Sequence, residues 1–529
     1  MNGEFVVPPL AWASDAVLEL PGSKSEANRV LVVAALSGRR VVVHGATPCD
    51  DVRRLVDGLA TLGYEAHFLD EERGTVHVGP RRGDAPSSGE VFCGNAGTAL
   101  RFLVSVAAIT PGTWTVTGDA HMQRRPIGPL VRAWRDLGAE VDDTDGRIPV
   151  RVRGGAAAGG TTRLDPSLSS QFLSSLLLVG GALERGIDVV LERPSASPEY
   201  AAMTCAILAE CGVDASFDER SARSVRTSRP ELDSISVGGD WSAMGVWTAA
   251  NELTGSRVSA ANLRRGSTQP DEGLAEVLGE LRGEGDRAID VASIPDQFMN
   301  LAVVAARRSG TTRFTGAANL RVKECDRLAV TARELAKLGV AVREQDDGLE
   351  VVGTGRFRSA TIDPEDDHRV AMAFALAALV APEARIAVAS PACVAKSYPG
   401  FWRDLRSRAD ATADGRGRRH ARRGQADVRA RLRGAARTRR GRRRRIASRR
   451  STVRSPSSSR SAAGPCSANT RPGSSRRCHI LGALRRGTVV AFGGGALLDD
   501  GVRASSPRGP NRCGSTPRWT CCGAASPPT

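Results

Sequence analysis

Helix-length apolar patterns in this chain repeatedly end on a glycine and restart as a short β-type segment. The pattern over 50–62 is followed by Gly63, that over 127–137 by Gly138, that over 200–210 closely by Gly212, and that over 326–338 by Gly339. A glycine just past the last apolar position is the expected stop, because it takes left-handed backbone without a Cβ clash. Ala139-Glu140-Val141, Val213-Asp214-Ala215 and Val340-Ala341-Val342 then read as strand starts, and Val41-Val42-Val43-His44-Gly45 is a β-branched run before the first helix. Gly63, Gly138 and Gly212 lie roughly 75 residues apart, which is long for a solenoid and suits a larger βα-rich unit repeated several times. Residues 271–281 are a weaker copy and 400–406 a truncated one. An α/β (α+β) protein is predicted, its units grouped into two globules. The boundary falls near 234–239, where a polar stretch gives way to Gly239-Asp240-Trp241-Ser242 and another apolar helix.

The grammar changes near residue 408. Residues 411–529 hold 28 Arg, no Lys and 4 acidic residues among runs of Ser, Pro, Gly and Ala. They carry +24 of formal charge, so the overall +16 leaves −8 on residues 1–410. The basic balance that would point to nucleic acid therefore belongs to the tail. The tail is expected to be disordered, since it cannot bury enough apolar surface to offset the entropy of ordering. Within it, 487–499 reads as a strand running into a Gly-rich turn. Scattered cysteines in the body (Cys49, Cys93, Cys205, Cys211, Cys325, Cys393) lack metal-type spacing and suit a reducing cytoplasm. No Lys or Arg precedes the first apolar run, so no signal peptide is expected. The longest apolar runs, 173–181 and 370–380, are too short to cross a bilayer.

Polar clusters interrupt the apolar segments at helix starts. Pro21-Gly22-Ser23-Lys24-Ser25-Glu26-Ala27-Asn28-Arg29 is a Gly-bearing turn opening a helix, where unpaired N–H groups and the dipole favour an anion. Ser25 and Arg29 stand four apart on one face, so a hydroxyl, an ammonium and a guanidinium can reach one ligand. Asn95, Gly97 and Thr98 precede a helix with Arg101 one turn in, and Ser169-Ser170-Gln171 and Asp296 precede buried helices. A plain helix cap accounts for each of these as well. Arg124-Arg125-Pro126 opens another helix and also suits a solvated charge pair. Residues 319–328 crowd five charges around few apolar positions. If helical, they set Lys323 and Arg327 on one face with Glu324 one turn from Arg327, and a solvated salt-bridge face suits them too. Asp366-Asp367-His368-Arg369 and Ala395-Lys396-Ser397-Tyr398-Pro399 complete the set. No Walker A loop, dinucleotide fingerprint or metal-ligand cluster accompanies them. Recurrence is the argument for function. If helix N-termini of two globules face one gap, Lys24, Arg29, Arg125, Lys323, Arg327, Arg369 and Lys396 converge there with a few carboxylates. Such a gap suits substrates bearing phosphates and carboxylates.

From about residue 17 to 406, in order, PGSKSEANR, CGNAGTALR, RRPIG, SLSSQF, SIPDQF, NLRVKECDRL, DDHRVAM and AKSYPGF resemble the 5-enolpyruvylshikimate-3-phosphate synthase (3-phosphoshikimate 1-carboxyvinyltransferase) family. The resemblance implies a two-domain enolpyruvyl transferase fold, each domain three βαβαββ-type repeats, with the site in the cleft between them. It implies domains at 22–238 (the shikimate 3-phosphate side) and at 1–21 with 239–408, ahead of the tail at 409–529. It implies a transferase of the shikimate pathway, which leads to chorismate and the aromatic amino acids. The enzyme joins phosphoenolpyruvate to the 5-hydroxyl of shikimate 3-phosphate and releases phosphate. No metal or organic cofactor is implied, nor a membrane or nucleic-acid partner, and the expected state is a cytoplasmic monomer. The hydroxyl adds to C2 of the enol while C3 is protonated, and phosphate then leaves. That chemistry needs a base, an acid and cations around two phosphates and two carboxylates.

Carried over residue by residue, the resemblance makes Asp296 the base for the 5-hydroxyl and Glu324 the proton donor and acceptor at the methylene carbon. Lys24 lies near both substrates and His368 gives electrostatic support. Shikimate 3-phosphate falls to Lys24, Ser25, Arg29, Ser169, Ser170, Gln171, Ser197, Tyr200, Asp296, Asn319 and Lys323. Phosphoenolpyruvate falls to Lys24, Asn95, Gly97, Arg125, Gln171, Arg327, Arg369 and Lys396. Arg125 is preferred to Arg124 because the family's Arg directly precedes the Pro. Cys325 stands where the family usually has Thr or Ser, and Phe102 where Pro is common.

Two alternatives compete with this reading, and only the second is of a different class. The UDP-N-acetylglucosamine enolpyruvyl transferases share the fold and the transferred group, but usually place a reactive Cys a few residues before the Arg-Pro. Ala120-His121-Met122-Gln123-Arg124 holds none. A basic nucleic-acid-binding protein rests on the tail alone, whose Arg are not interleaved with aromatic residues. The tail stretch 487–503 resembles a fragment of shikimate kinase without the GxxxxGK[ST] loop. It reads as an out-of-frame or degraded kinase region, and no kinase activity is expected.

Overall fold

The structure, a computed structural model, describes residues 3–8, 15–227 and 232–413, with side chains as far as Ser407. The Arg-rich tail, with its expected disorder and its kinase-like stretch at 487–503, lies outside the described residues. Strands and helices alternate as the apolar periods predict. In the first lobe, α1 (Lys24–Leu36) and α2 (Asp50–Thr61) accompany strands Val41–His44, Tyr64–Asp70 and Thr75–Arg81. α3 (Gly97–Ile109) and α4 (Gly128–Asp136) accompany Ser88–Phe92, Gly112–Thr117, Glu140–Thr144 and Arg147–Gly154. α5 (Ser170–Gly180) and α6 (Pro198–Glu210) accompany Gly160–Leu164, Ile187–Leu191, Ala215–Phe217 and Ser221–Ser224. Each sheet is built alike, as one parallel pair followed by two antiparallel joins. The first unit completes its sheet with Ser234–Ser236, which runs parallel to Val41–His44 in the register Ser234↔Val42.

The second lobe carries α7 (Trp241–Thr254), α8 (Leu274–Glu280), α9 (Phe298–Arg307), α10 (Arg327–Lys337), α11 (His368–Ala375) and α12 (Phe401–Ala413). Its sheet of Arg287–Asp290, Thr311–Thr315, Gly348–Val352 and Ala341–Gln345 repeats the four-stranded pattern. Among the described residues its other sheets are shorter. One pairs Asp15–Leu18 with Arg257–Ala260, and the other joins Phe5–Val6, Ile386–Val388 and Ala360–Ile362. The class is mixed α/β, with the repeat regular in the first lobe and abbreviated in the second.

The glycine stops have a common cause. Gly63, Gly138, Gly212 and Gly339 all take positive φ, between 78° and 93°, just beyond their helices. The helix expected over 326–338 is present as α10, while one conditional reading and one weaker helix copy differ in the structure. Residues 319–328 do not form one helix. A 3-10 turn, Ala318–Val322, precedes the non-helical Lys323 and Glu324, and α10 starts only at Arg327. Asp326 caps it, accepting from the Ala329 N–H at 3.1 Å, so Lys323 and Arg327 share no helical face. Residues 271–281 likewise divide into a 3-10 turn, Pro270–Gly273, and the short α8, because Pro270 and Gly273 break the period.

Two separate hydrophobic clusters hold the lobes. One gathers apolar side chains between residues 27 and 237 around Trp114 and Trp134. The other joins residues 5–20 to residues 243–405 around Trp247 and Phe401. Each buried Leu, Val or Phe contributes about 1.5–3 kcal/mol. The chain crosses between the clusters at Gly22 and Gly239, which form an antiparallel bridge. A Cβ on Gly22 would lie 1.7 Å from the Gly45 carbonyl oxygen, so only glycine fits that crossing. Glu26 fastens it, accepting from the Gly238 N–H at 3.0 Å and from Gln269 Nε2 at 2.9 Å. The start of α1 is thereby fixed beside the gap.

Candidate active site

The gap between the lobes is a cleft of about 660 Å³, part of it open to solvent. Helix starts line it on both sides, with Lys24 and Ser25 from α1, Gly97 and Thr98 from α3, and Ser169, Ser170 and Gln171 from α5. Arg29, Asp51, Arg125, Ser197 and Tyr200 complete the first-lobe wall, and Asp296, Lys323, Glu324, Arg327 and Arg369 face them from the second lobe. Asn95, Asn319 and Lys396 stand just behind this lining, tied to it as described below, and His368 is buried beside Asp367.

The first-lobe wall is fixed by caps and buried bonds. Ser23 caps α1 by accepting from the Glu26 N–H at 3.4 Å, which leaves the Lys24 ammonium to pair with Asp51 at 3.1 Å. Burial opposes the Lys24 charge, but Asp51 overcomes it and the pKa ends above the ordinary lysine value. Arg29 is 2% exposed. It donates to Thr204 Oγ1 (2.8 Å), the Ser25 carbonyl (2.8 Å), Ser174 Oγ (3.2 Å) and the Tyr200 carbonyl (3.1 Å). Of its five N–H donors one on Nη1 is left. Burial lowers its pKa to about 10, which still leaves it charged at neutral pH. Ser169 caps α5 through the Gln171 N–H (3.3 Å), and Gln171 Nε2 donates to Thr98 Oγ1 at 3.1 Å.

At the start of α3 two guanidiniums crowd one glycine. A Cβ on Gly97 would lie 2.5 Å from Arg125 Nη1 and 2.8 Å from Arg101 Nη1. Arg101 donates to the Gly97 and Pro126 carbonyls, both at 3.0 Å. Burial pulls its pKa well below the usual arginine value, and the Arg125 charge adds to that. Arg125 Nε and Nη1 are buried without a hydrogen-bond partner, so they remain available to an anion.

The second-lobe wall is an ion cluster. Arg327 donates to three carboxylates, Asp296 and Glu324 at 2.8 Å and Asp367 at 2.7 Å. Arg369 pairs with the other Asp296 oxygen at 2.9 Å. Lys396 pairs with Glu324 at 3.1 Å, and Arg125 reaches it at 4.0 Å. Burial alone would raise the Asp296 pKa, but Arg369 and Arg327 hold it well below the carboxylate range. Glu324 is held down likewise, with Lys396, Arg327 and Arg125 overcoming burial. Burial lowers Lys323 to about 8 despite the nearby Asp296. His368 is completely buried, and burial, with Lys24 and Arg369 nearby, keeps it neutral. Neither of its ring nitrogens has a hydrogen-bond partner.

Direct bonds join the walls. Lys396 Nζ donates to the Asn95 carbonyl at 2.6 Å, and the Tyr200 hydroxyl donates to Asp296 at 3.2 Å. Asn319 Nδ2 donates to the Ala196 carbonyl at 3.2 Å and to Ser197 Oγ at 3.4 Å. Asp51 and Asp271 belong to the site although neither lies in a predicted cluster. Both are buried carboxylates, the first paired with Lys24 and the second beside Arg369. A signal existed for each. Asp51 falls on the buried stripe with Leu55 and Leu59, and Asp271 on that with Leu274 and Leu278. A carboxylate on an apolar stripe needs a buried partner.

Residues 13–405 match the EPSP synthase (3-phosphoshikimate 1-carboxyvinyltransferase) family. A 3-phosphoshikimate 1-carboxyvinyltransferase of Syntrophobacter fumaroxidans is 36% identical over 415 residues, covering 73% of this chain and 95% of its own. One from Sulfurovum sp. is 33% identical over 426 residues, covering 76% and 98%. A solved EPSP synthase from Acinetobacter baumannii matches with a TM-score of 0.64 at 25% identity, over 77% of this chain and 98% of that one. Among the described residues no helix is long and apolar enough to cross a membrane.

Proposed function

The chain belongs to the EPSP synthase family, and from that membership and the chemistry of the cleft we propose how its residues share the reaction. The activity is that of a 3-phosphoshikimate 1-carboxyvinyltransferase. The carboxyvinyl group of phosphoenolpyruvate passes to the 5-hydroxyl of shikimate 3-phosphate with release of phosphate, in the shikimate pathway to the aromatic amino acids. The relatives favour this reading over a UDP-N-acetylglucosamine transferase and over nucleic-acid binding by the tail. A cytoplasmic monomer is part of the same reading, and the free, unpaired cysteines of the body support the compartment.

One observation supports the division of roles. Asp296 and Glu324 sit in a single cation cluster and offset part of its charge, with cations left in excess. Phosphoenolpyruvate brings a carboxylate and a phosphate to the same cations. As these anions take over Arg125, Arg327, Arg369 and Lys396, both carboxylates lose their opposing charges and their proton affinity rises. Asp296 then accepts the 5-hydroxyl proton as that oxygen attacks C2. Glu324, now protonated, gives its proton to C3. The C2–O bond to phosphate breaks next as Glu324 recovers a proton from the C3 methyl, restoring the double bond, and the proton held by Asp296 leaves with the phosphate. Ser25, the remaining Arg29 donor, Ser169, Ser170, Gln171, Ser197, Tyr200, Asn319 and Lys323 hold shikimate 3-phosphate. Lys24 lies between both substrates. Gly97 and the Asn95 carbonyl keep Arg125 and Lys396 in place. Neutral His368 supports Glu324 and Lys24 as a dipole without competing charge.

The test is phosphate release from phosphoenolpyruvate by the full chain and by a chain ending near residue 410, with and without shikimate 3-phosphate. Release by both chains, strictly dependent on shikimate 3-phosphate, is expected. No release from either refutes the reading.

A further inference from the structure

Behind Arg369 stands a buried carboxylate with no part in the proton transfers above. Asp271 is 4% exposed and lies in the 3-10 turn that precedes α8. Gln297 Nε2 donates to its Oδ1 at 2.9 Å, and the Ser242 hydroxyl donates to its Oδ2. Both donors come from segments that carry the site. Ser242 follows the Asp240 cap of α7, and Gln297 follows Asp296 directly. Gln297 is immobile, since its Oε1 accepts from Asn300 at 2.8 Å and a Cβ on neighbouring Gly245 would lie 2.0 Å from that oxygen.

The hydrogen-bond accounting fixes the direction of each bond. Asp271 accepts the Ser242 proton, so the Ser242 oxygen turns its lone pairs outward. Arg369 Nη2 lies 3.4 Å from that oxygen and donates to it. Arg369 therefore has two protein anchors, Asp296 at 2.9 Å and the Ser242–Asp271 pair. Burial lifts the Asp271 pKa to about 6, with Arg369 pulling it down, so at neutral pH it is mostly the acceptor this arrangement needs.

We propose that Asp271 is a positioning residue for phosphoenolpyruvate, which through Ser242 holds the Arg369 guanidinium in the cleft when substrate displaces Asp296 from it. The inference rests on Arg369 being a phosphoenolpyruvate ligand. It follows that Asp271→Asn does more than remove a charge. Gln297 donates to one end of the side chain, so the Asn must place its oxygen there and its amide N–H groups toward Ser242. The Ser242 hydroxyl then accepts instead of donating, and its proton turns toward Arg369, setting donor against donor.

The experiment is steady-state kinetics of the full chain with Asp271→Asn, Ser242→Ala and the double variant. We expect the KM for phosphoenolpyruvate to rise about tenfold in Asp271→Asn, with kcat and the KM for shikimate 3-phosphate within about threefold of wild type. The double variant should be no worse than Asp271→Asn, because both changes act along one path. An unchanged KM for phosphoenolpyruvate, an equal rise in both KM values, or fully additive effects would overturn the inference. If Asp271→Asn does not fold, Ser242→Ala decides by the same split. A wild-type chain with no turnover at all refutes the functional reading, and the inference falls with it. Normal wild-type turnover with an unaltered variant refutes the inference alone.

Discussion

Asp296 and Arg327 form a 2.8 Å ion pair in which the guanidinium is almost wholly buried, while Arg369 occupies the other carboxylate oxygen at 2.9 Å. A carboxylate bound in this way is a poor base. It becomes a useful one only when another anion draws the two guanidiniums away, which ties base strength to substrate occupancy.

Replacing Asp296 with Asn should therefore separate binding from turnover. We expect kcat to fall about 10²–10⁴-fold, the range of a general base, while phosphoenolpyruvate binds at least as tightly because its cations are released. Turnover and equilibrium binding measured on one preparation check this. An unchanged kcat would remove Asp296 as the base.

Gly97→Ala should act on one substrate only. The added Cβ would meet Arg125 Nη1 at 2.5 Å and push the guanidinium out of place. An overpacking strain of about 1–3 kcal/mol corresponds to a rise of roughly tenfold or more in the KM for phosphoenolpyruvate, with the KM for shikimate 3-phosphate unchanged. Equal rises in both constants would contradict the placement of Arg125.

Lys323 gives the site a pH limit. Its pKa, lowered by burial to about 8, makes it charged below that pH and neutral above it. An anionic ligand held by Lys323 should thus be lost as pH rises. We expect kcat/KM for shikimate 3-phosphate to decline above about pH 8, because that ratio reports the free enzyme's groups. Lys323→Arg keeps its charge and should flatten the decline. A wild-type profile that stays flat to pH 9.5 would exclude Lys323 from the shikimate 3-phosphate site.

Asp51→Ala leaves the Lys24 ammonium buried without its partner, 3.1 Å away in the wild type. Removing one side of a buried pair costs about 3–5 kcal/mol, and here both stability and activity should suffer. Urea unfolding measures the first. A midpoint within error of wild type would show that solvent reaches Lys24 freely.

Much of this was legible along the chain, for reasons that are local. Glycine stops follow from backbone sterics, and Gly63, Gly138, Gly212 and Gly339 all take the expected conformation. Helix-start clusters are also local signals, which is why Lys24, Gly97, Gln171 and Arg369 could be picked out before their common cleft was known. What escaped depends on contacts distant in sequence. Asp51 and Asp271 carry only the local sign of an acid on an apolar stripe, and which cation each faces, Lys24 or Arg369, depends on contacts distant in sequence. The non-helical stretch before Arg327 was hidden because its charges mimic an i, i+4 face, whereas the Asp326 cap delays the helix.

The central claim is that Glu324 moves a proton at C3 of the transferred group, and running the reaction in D₂O tests it most directly. Wild type should place deuterium in the vinylic CH₂ of the product, since the C3 methyl of the intermediate gains a solvent-derived deuteron before losing a proton. Glu324→Gln should bind both substrates and place none. A wild-type product free of deuterium, or deuterium still entering with Glu324→Gln, would contradict the account.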